Sequence, residues 1–558
     1  MKKTALFTLF AFCAIGAIAA PNTDIGASLR NLEDTRPKPD LQDRARAQEL
    51  PAIETLDINA SQSQESADTI LINEIKIEDA PKDIDQSALK AITDAYINRR
   101  LTLGEIEEIA SKITALCREA RYALSRAYLP RQDTRNGVLT IKILNARYGV
   151  ITIDNSSLAR DFMVKGSASG LQSGDLIKSD ALERAMLLIG DLYGATMPKA
   201  NVAAGSGAGT SDLTLDVGKS ERAGGYVFAD NYGSRYTGKT RMGAGLDVNS
   251  PLGIADRISL SAMRTSESLI NGAGYYSLPL GTDGLRLTAG YSDINYDLGA
   301  EYLDLNATGR AKSFSADLTY PLIRSRLSNL YLNLNLAQRE LRDEIGAFDE
   351  TSRKKTRVGV LGAKYERWSD DLYSAIDASF TFGRLKMRDE EDRSINRAGA
   401  NTLDDFYHIN LGLSANYALS ENFSLSAITR AQYALNRKNL DSGEQFSVTG
   451  SNAVKAYRET IGGDHGWYLG AELRYNLPSS AKTRHSLGIF ADTAYWRYAD
   501  GDYALKSSDW LHDVGIGYYV SVGDALNVKL QVARAIGDYP AELTADKTLA
   551  IGQITIAF

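Results

Sequence analysis

Phe406-Tyr-His-Ile-Asn-Leu-Gly-Leu-Ser-Ala-Asn-Tyr417 is the stretch of the chain that decides the fold. Every second residue from Tyr407 to Tyr417 is apolar, and the residues between them are polar or small. A period of two places these two sets on opposite faces of a β-strand. The stretch therefore predicts a strand with one apolar and one polar face.

The same alternation recurs throughout residues 221–558 and predicts sixteen strands. We place them at about 223–231, 239–249, 256–265, 273–280, 285–293, 311–320, 329–337, 354–366, 371–384, 405–417, 422–434, 466–475, 485–496, 509–520, 525–533 and 549–558. This spacing suits strands of about ten residues joined by alternating short and long links, as in a transmembrane β-barrel.

Polar residues on the inner faces favour a membrane barrel over a soluble β-protein. Arg241 and Asp247, and likewise Asn333 and Asn335, lie where a soluble core needs apolar side chains. An apolar exterior with a polar interior satisfies every backbone group only if the sheet closes on itself. Aromatic residues near predicted strand ends fit an interfacial girdle: Tyr320, Trp368, Tyr417, Tyr475 and Trp496. A soluble propeller or solenoid is the alternative.

The first nineteen residues have the features of a signal peptide. Lys2 and Lys3 form a charged start, an apolar stretch follows, and Ala17-Ile18-Ala19 offers small residues for cleavage. The alternative is a membrane anchor, but the apolar stretch is shorter than the roughly 20 residues that a helical span needs. We therefore expect an exported protein whose chain ends on Phe558, which we interpret as a barrel-assembly signal.

Residues 20–67 are polar and are interrupted by prolines. Residues 24–33 have the spacing of one short amphipathic helix, and residues 36–67 are typical of a mobile linker. A rise in tyrosine and tryptophan content near residue 220 marks the start of the barrel.

Residues 69–145 and 146–219 are predicted to form two small α/β units. In the first unit, Thr102 and Glu105 form a capping box that opens a helix with an apolar stripe. Strands are expected at Tyr122 to Leu129 and Val138 to Leu144, after a first strand and helix. The second unit repeats the pattern more loosely, with strands at Tyr148 to Ile153 and Leu213 to Val217 around a helix at Asp180 to Leu192.

Asp230-Asn-Tyr-Gly-Ser-Arg-Tyr-Thr-Gly238 resembles the start of the barrel in two-partner secretion transporters, the haemolysin-activator type of outer-membrane protein translocator. Thr449 to Trp467 resembles their long inward-folding loop. Arg100-Leu-Thr-Leu103, Arg126-Ala-Tyr-Leu-Pro130 and Gly137-Val-Leu-Thr-Ile141 resemble the first of their two polypeptide-transport-associated (POTRA) domains. The resemblance implies a 16-stranded barrel preceded by two periplasmic POTRA domains.

The resemblance also implies a tether between the loop and the barrel wall. The family motif is Val-Arg-Gly/Ala-aromatic, and the matching positions here are Val454, Lys455, Ala456 and Tyr457. Its arginine pairs with a wall aspartate, which would be Asp492, two residues after Phe490. Lysine gives up the planar fork of arginine, so we expect a weaker tether. The alternative is that Lys455 is a solvated loop charge.

By this resemblance the chain is an outer-membrane transporter of a Gram-negative bacterium that moves a secreted partner exoprotein to the cell surface. An open sheet edge can hold an unfolded chain as an added strand. For this recognition we select residues of the first POTRA domain, namely Thr102, Tyr122, Arg126, Tyr128 and Leu129. Outer-membrane lipid and the barrel-assembly machinery are the other expected partners, and residues 24–33 are the candidate plug of the pore.

Other functional classes have weaker support in the sequence. A net charge of -7 disfavours nucleic-acid binding. Two cysteines and four histidines are few for a metal site, and no cofactor motif is evident. Ser451, Asp464 and His465 lie on a predicted loop without a nucleophile elbow, so we expect no enzymatic activity. A barrel-assembly factor of the same superfamily and a passive porin remain as alternatives.

Overall fold

The computed structural model describes residues 54–55 and 69–558, except positions 123, 208, 479, 481, 505 and 538–546. The predicted signal peptide (1–19) and plug helix (24–33) lie outside the described residues. The described chain divides into two units, one within residues 54–220 together with 281–283, and one formed by 221–280 and 284–558. No helix among the described residues is both long and apolar enough to cross a bilayer.

The described residues of the N-terminal unit form nine strands and four helices. The strands are β1 (Glu54–Thr55), β2 (Thr69–Ile72), β3 (Glu74–Glu78), β4 (Arg99–Thr102), β5 (Arg126–Tyr128), β6 (Val138–Leu144), β7 (Arg147–Asn155), β8 (Lys199–Ala204) and β9 (Thr210–Val217). The helices are α1 (Gln86–Asp94), α2 (Leu103–Glu119), α3 (Asp161–Ser167) and α4 (Ser179–Gly190). They build three small sheets, with the strand orders β3-β6-β5, β2-β4 and β1-β8-β9-β7.

Helix α2 begins where the capping box predicts. The Thr102 side chain accepts a hydrogen bond from the Glu105 backbone N–H, and the Glu105 carboxylate accepts one from the Thr102 N–H at 2.8 Å. This reciprocal pair satisfies two backbone donors at the helix start. The apolar stripe through Ile106, Ile109 and Ile113 is buried and forms the core under the sheet.

Four elements of this unit were not predicted, and one was predicted too long. The prediction lacked β1, β4, α3 and β8, which are short or only weakly periodic, and β1 lies within residues 36–67, which were expected to be a linker. The strand expected at Tyr122 to Leu129 is only the three residues of β5. Tyr122 is 2% exposed and lies in the core, so the chain turns before the strand begins.

The second unit is a closed antiparallel barrel of sixteen strands, as predicted. The strands are β10 (Ala223–Asp230), β11 (Arg241–Asn249), β12 (Arg257–Thr265), β13 (Ile270–Pro279), β14 (Arg286–Asp297), β15 (Ala307–Arg324), β16 (Ser328–Ile345), β17 (Glu350–Trp368), β18 (Leu372–Met387), β19 (Asp404–Ala418), β20 (Phe423–Ala434), β23 (His465–Asn476), β24 (Thr483–Arg497), β25 (Ser508–Val522), β26 (Leu526–Ile536) and β27 (Thr548–Ala557). Two short strands, β21 (Phe446–Ser447) and β22 (Gly462–Gly463), pair with each other in the connection between β20 and β23. Helix α5 (Glu390–Ala398) lies between β18 and β19.

Strands β15 to β18 are longer than the alternation suggested. They contain 16 to 19 residues each, whereas about ten suffice to cross the bilayer. In β16 and β17 the additional residues carry charges on both faces, which hides the apolar period although the hydrogen-bonded ladder continues. These four strands therefore extend beyond the apolar belt at the end that carries the β16–β17 connection.

The barrel closes between its first and last strands. Tyr226 to Asp230 of β10 pair with Gln553 to Ala557 of β27. Phe558 follows β27, and its backbone N–H and carbonyl both bond to Gly225, at 2.9 and 2.8 Å. The Phe558 ring is exposed on the apolar side.

Candidate functional site

The interior wall of β24 carries the aspartate selected from the sequence. Phe490 and Asp492 point inward and are buried, whereas Leu487 and Ile489 on the other face are 48% and 59% exposed. Asp513 of β25 lies directly opposite Asp492 in the strand register and is buried as well. Two carboxylates therefore lie side by side on the inner wall.

A long loop folds against this wall. We call residues 435–464, between β20 and β23, the luminal loop. Near its tip the Thr449 hydroxyl donates to the Glu459 carbonyl at 2.7 Å and accepts from the Ile461 N–H at 2.8 Å. Gly450 turns the chain with a φ of +104°, a conformation that favours glycine. These contacts hold residues 454–457 in a hairpin.

The hairpin delivers Lys455 to Asp492. The Lys455 Nζ lies 2.6 Å from Asp492 Oδ2, and the Tyr468 hydroxyl donates to Asp492 Oδ1 at 2.8 Å. The Lys455 ammonium also lies 4.6 Å from the centre of the Phe490 ring, in the geometry of a cation–π contact. The lysine and aspartate side chains are only 11% and 1% exposed. The structure therefore brings together the loop lysine and the wall aspartate, with both carboxylate oxygens occupied.

The backbone next to Lys455 forms a second bond to the wall. The Ala456 N–H donates to Asp513 Oδ2 at 2.6 Å. Ala456 is 2% exposed, and its small side chain lets the loop backbone approach β25 closely. The bond to Asp513 uses the loop backbone and not the Lys455 side chain, and it was not foreseen from the sequence.

Apolar packing also holds the loop, in one part of an interior that the sequence predicts to be polar. Val454 and Tyr457 are 0% and 2% exposed and pack in one cluster with Phe446, Phe490 and Trp496. Trp496, predicted to lie in the interfacial girdle, is 1% exposed and points inward. Alternation alone does not show which part of an inner face a loop will cover.

The loop is bonded to the β10–β11 connection as well. The Arg458 guanidinium donates to the carbonyls of Asn231 and Gly233, at 2.6 and 3.0 Å. Glu459, which is 4% exposed, accepts from the Arg235 N–H at 2.9 Å and from the Ser234 hydroxyl. The segment 230–238, which resembles the start of the family's barrel, thus contacts Arg458 and Glu459, which follow Lys455 in the loop.

Asn231 connects this contact to the seam of the barrel. Its side chain donates to the Ala550 carbonyl at 2.9 Å and accepts from the Gly552 N–H at 2.8 Å. Both partners are in β27, so the same residue joins the first strand, the last strand and the luminal loop.

The base of the loop is fixed by ion pairs and by a buried carboxylate. Glu444 lies 2.5 Å from Arg339 of β16, and Asp441 lies 3.1 Å from Lys354 of β17. Asp464 is fully buried and accepts from the backbone of Leu440 at 2.9 Å. The loop therefore contacts several strands around the inner wall.

We expect Glu459→Gln to loosen the loop without unfolding the barrel. Hydrogen bonds to a charged group contribute about 1.5–3 kcal/mol each. The neutral amide of glutamine therefore weakens the bonds that Glu459 accepts from Ser234 and Arg235. The expected result is a higher single-channel conductance in planar bilayers. Glu421→Gln, in the exposed turn before β20, is the matched control. Equal conductance of the two variants would show that this contact does not hold the loop.

The recognition residues predicted in the first POTRA domain fall into two groups. Arg126 and Tyr128 are exposed on β5, an edge strand that pairs only with β6 in the described sheet, and Leu129 is half-buried beside it. Thr102 is occupied as the N-cap of α2. The Ala127 N–H already bonds to the Thr114 hydroxyl of α2 at 3.0 Å, so α2 covers part of this edge.

Tyr122 joins the two halves of the N-terminal unit and is not available at the surface. Its hydroxyl donates to the Asp83 carboxylate, and Lys178 Nζ, from the segment before α4, lies 2.5 Å from the same carboxylate. Hydrogen bonds, first from Lys178 and then from Tyr122, lower the pKa of Asp83 to about 2. This corrects the expectation that Tyr122 belongs to the recognition strand.

Two family models match this chain. The one described as haemolysin secretion/activation protein ShlB/FhaC/HecB matches residues 209–511, more than half of the chain. The one described as POTRA domain, ShlB-type, matches residues 70–146.

Known proteins with similar sequence and structure agree with these matches. The heme/hemopexin transporter protein HuxB of Haemophilus influenzae (strain 86-028NP) is 25% identical over 474 residues, which cover 81% of this chain and 82% of that protein. The outer membrane transporter CdiB of Dickeya dadantii (strain 3937) is 24% identical over 492 residues, 84% of this chain and 83% of that protein. The solved structure of CdiB from Escherichia coli has the same fold, with a TM-score of 0.75 at 21% identity, over 96% of this chain and 98% of that one. The chain therefore belongs to the haemolysin secretion/activation protein family, ShlB/FhaC/HecB.

Proposed function

We propose that this chain binds an unfolded partner exoprotein in the periplasm through its POTRA domains and passes it through the barrel to the cell surface. As a member of its family, the chain is an outer-membrane transporter of the two-partner secretion type. The observation that carries the proposal is a wide barrel whose interior holds a tethered loop. The type of cargo, whether adhesin, haemolysin or contact-dependent toxin, stays open.

Recognition is proposed to use the exposed side of β5. Arg126 and Tyr128 present a cation and an aromatic ring beside an edge strand. Because the Ala127 N–H is already bonded to Thr114, an added strand must displace that hydroxyl or use the remaining edge. Side-chain contacts would then contribute more of the selectivity than backbone pairing.

Transit through the barrel requires the luminal loop to move. The loop packs a buried apolar cluster against the inner wall, so an extended polypeptide cannot share that part of the interior. A closed barrel with a polar path spares the passing backbone contact with lipid. Since no nucleotide-binding motif is evident, we propose a non-enzymatic transporter in which folding of the cargo outside the cell supplies direction.

Biogenesis is proposed to involve the barrel-assembly machinery and the terminal Phe558. The Phe558 ring is 73% exposed beside the seam, where another protein can reach it. Outer-membrane lipid surrounds the apolar face of the finished barrel.

Expression together with a candidate partner, a large exported protein of the adhesin, haemolysin or contact-dependent toxin type, tests this function. We expect that protein on the cell surface or in the medium when the intact chain is present, and in the periplasm when the chain is absent. Unchanged export without the chain would overturn the proposal. Loss of other outer-membrane proteins with export unaffected would instead identify a barrel-assembly factor.

A further inference from the structure

The outer face of the barrel changes sharply from apolar to charged across one row of residues. On neighbouring strands β16, β17 and β18, Leu336, Gly359 and Phe382 lie side by side in the register. Two residues further along each strand, toward the β16–β17 connection, the next row on the same face contains Gln338, Arg357 and Arg384. This boundary marks where the apolar belt meets the headgroups of the bilayer.

The boundary lies at the extracellular end of the barrel. The chain enters β10 from the POTRA domains, which are periplasmic in this family. Antiparallel strands then place the β16–β17 connection at the opposite end. The charged rows of β15 to β18 are next to that connection and therefore face the outer leaflet.

Like charges lie directly opposite each other in these rows. Arg357 pairs in register with Arg384, and Lys355 with Lys386. One strand away, Arg342 pairs with Arg353. Like charges in directly opposite positions destabilise a sheet unless something neutralises them. In each pair one cation has a carboxylate partner, Asp405 for Arg384, Glu340 for Lys355 and Glu344 for Arg342, so cations outnumber carboxylates at these positions.

Carboxylates neutralise only part of this charge. Arg384 forms a fork with Asp405, at 2.5 and 2.8 Å, and Lys355 lies 2.9 Å from Glu340. Arg357 bonds only to the neutral Gln338, at 3.3 Å, among the described residues. Arg357 therefore keeps both of its Nη groups available beside the exposed Arg384.

An apolar groove lies below the two arginines. It has a volume of about 750 Å³, and Arg357, Arg384 and the Asp405 carboxylate are at its charged end. Its apolar lining includes Phe314, Leu336 and Phe382. Gly359 has no side chain here, and the Phe382 ring crosses the space that a Cβ would fill. A groove with this lining suits an acyl chain that runs down the barrel wall.

We propose that the outer face of β15 to β19 is a binding site for a phosphorylated, acylated lipid of the outer leaflet. The phosphate lies between Arg357 and Arg384 and accepts paired hydrogen bonds from the two Nη groups of Arg357 and one from the Arg384 Nη1, which does not bond to Asp405. One acyl chain occupies the groove lined by Phe314, Leu336 and Phe382. Lys355 and Lys386 lie in the next row toward the extracellular end and can bind a second anionic group of the same lipid.

The test compares lipid A binding to the purified full chain in zwitterionic detergent, measured by native mass spectrometry and by the melting temperature of the barrel. The variant is Arg357→Ala with Arg384→Ala. Arg367→Ala is the matched control, because Arg367 is an exposed arginine on the same strand at the periplasmic end. Dephosphorylated lipid A, phosphatidylcholine and inorganic phosphate are compared as ligands.

We expect lipid A to bind the wild type and Arg367→Ala equally and to bind the double variant at least about tenfold more weakly, which corresponds to the loss of one charged contact or more. Dephosphorylated lipid A and phosphatidylcholine should bind weakly to all three proteins. Inorganic phosphate should leave the melting temperature unchanged, because it lacks the acyl chain. Equal lipid A binding by the double variant and the wild type would overturn the proposal, and so would stabilisation by phosphate alone. These outcomes are independent of export, so they are distinguishable from a failure of the proposed function.

Discussion

Asp492→Ala is expected to lower export of the partner by at least about tenfold while the barrel still reaches the outer membrane. The substitution removes the carboxylate that Lys455 Nζ contacts at 2.6 Å and the acceptor of the Tyr468 hydroxyl, and Asp513, already bonded to the Ala456 N–H, is the neighbouring carboxylate that stays. Breaking a buried ion pair from one side costs about 3–5 kcal/mol, which exceeds the loss of an ordinary surface pair. The loop then loses its resting position, and the open state of the pore gains population.

In Asp492→Ala, the amount of secreted partner should fall while the single-channel conductance rises. The heat-modifiable migration of the barrel should stay unchanged. Lys455→Ala should act in the same direction, and Lys455→Arg should keep export because it restores the family residue and its charge. Asp371→Ala, in the exposed turn before β18, is a control of the same type.

A double-mutant cycle separates the tether from the rest of the loop. Lys455→Ala combined with Asp492→Ala should be less harmful than the two single effects added together, because the buried charges leave as a pair. Normal export in both single variants would remove the tether from the mechanism. Ala456 and Asp513 would then be the contact to examine.

Deletion of residues 69–145 is expected to abolish export and to leave a conducting barrel. The deletion removes β2 to β6 with α1 and α2, and with them the edge strand proposed to bind the partner. The barrel has its own closed set of strands, so its ladder does not depend on this domain. Partner accumulation in the periplasm and single-channel conductance are the two measurements.

A second variant keeps the experiment informative if the shortened chain assembles poorly. Arg126→Glu with Tyr128→Ala changes only exposed side chains of β5, and Lys90→Ala on the exposed side of α1 is its control. We expect reduced export in the β5 variant alone. Export that survives both the deletion and the β5 variant would exclude recognition by the first POTRA domain.

The number of barrel strands could be read from the sequence because the signal is local. A side chain of a strand in a barrel faces either lipid or the interior, so alternation along Phe406 to Tyr417 is enough to predict a strand. The same rule placed Asp492 on the inner face with Phe490. It did not predict the length of β15 to β18, where charged residues interrupt the apolar face and, in β16 and β17, lie on both faces.

The loop contacts needed information that no local pattern contains. Lys455 was selected by family resemblance, and only the fold shows that Tyr468 shares its aspartate and that Ala456 binds Asp513. Glu459 meets Ser234 across a separation of 225 residues. Nothing in the spacing of those residues relates them.

The sequence by itself determined the strand count, the inward and outward faces and the capped helix of the first POTRA domain, because each depends on neighbours within a few residues. The tertiary structure alone decided which wall the luminal loop contacts, that Trp496 is inside and Tyr122 is buried, and that arginines of separate strands lie side by side above an apolar groove. The physical reason is that barrel closure brings together strands that are far apart in the chain, and burial and charge pairing are set by those distant neighbours.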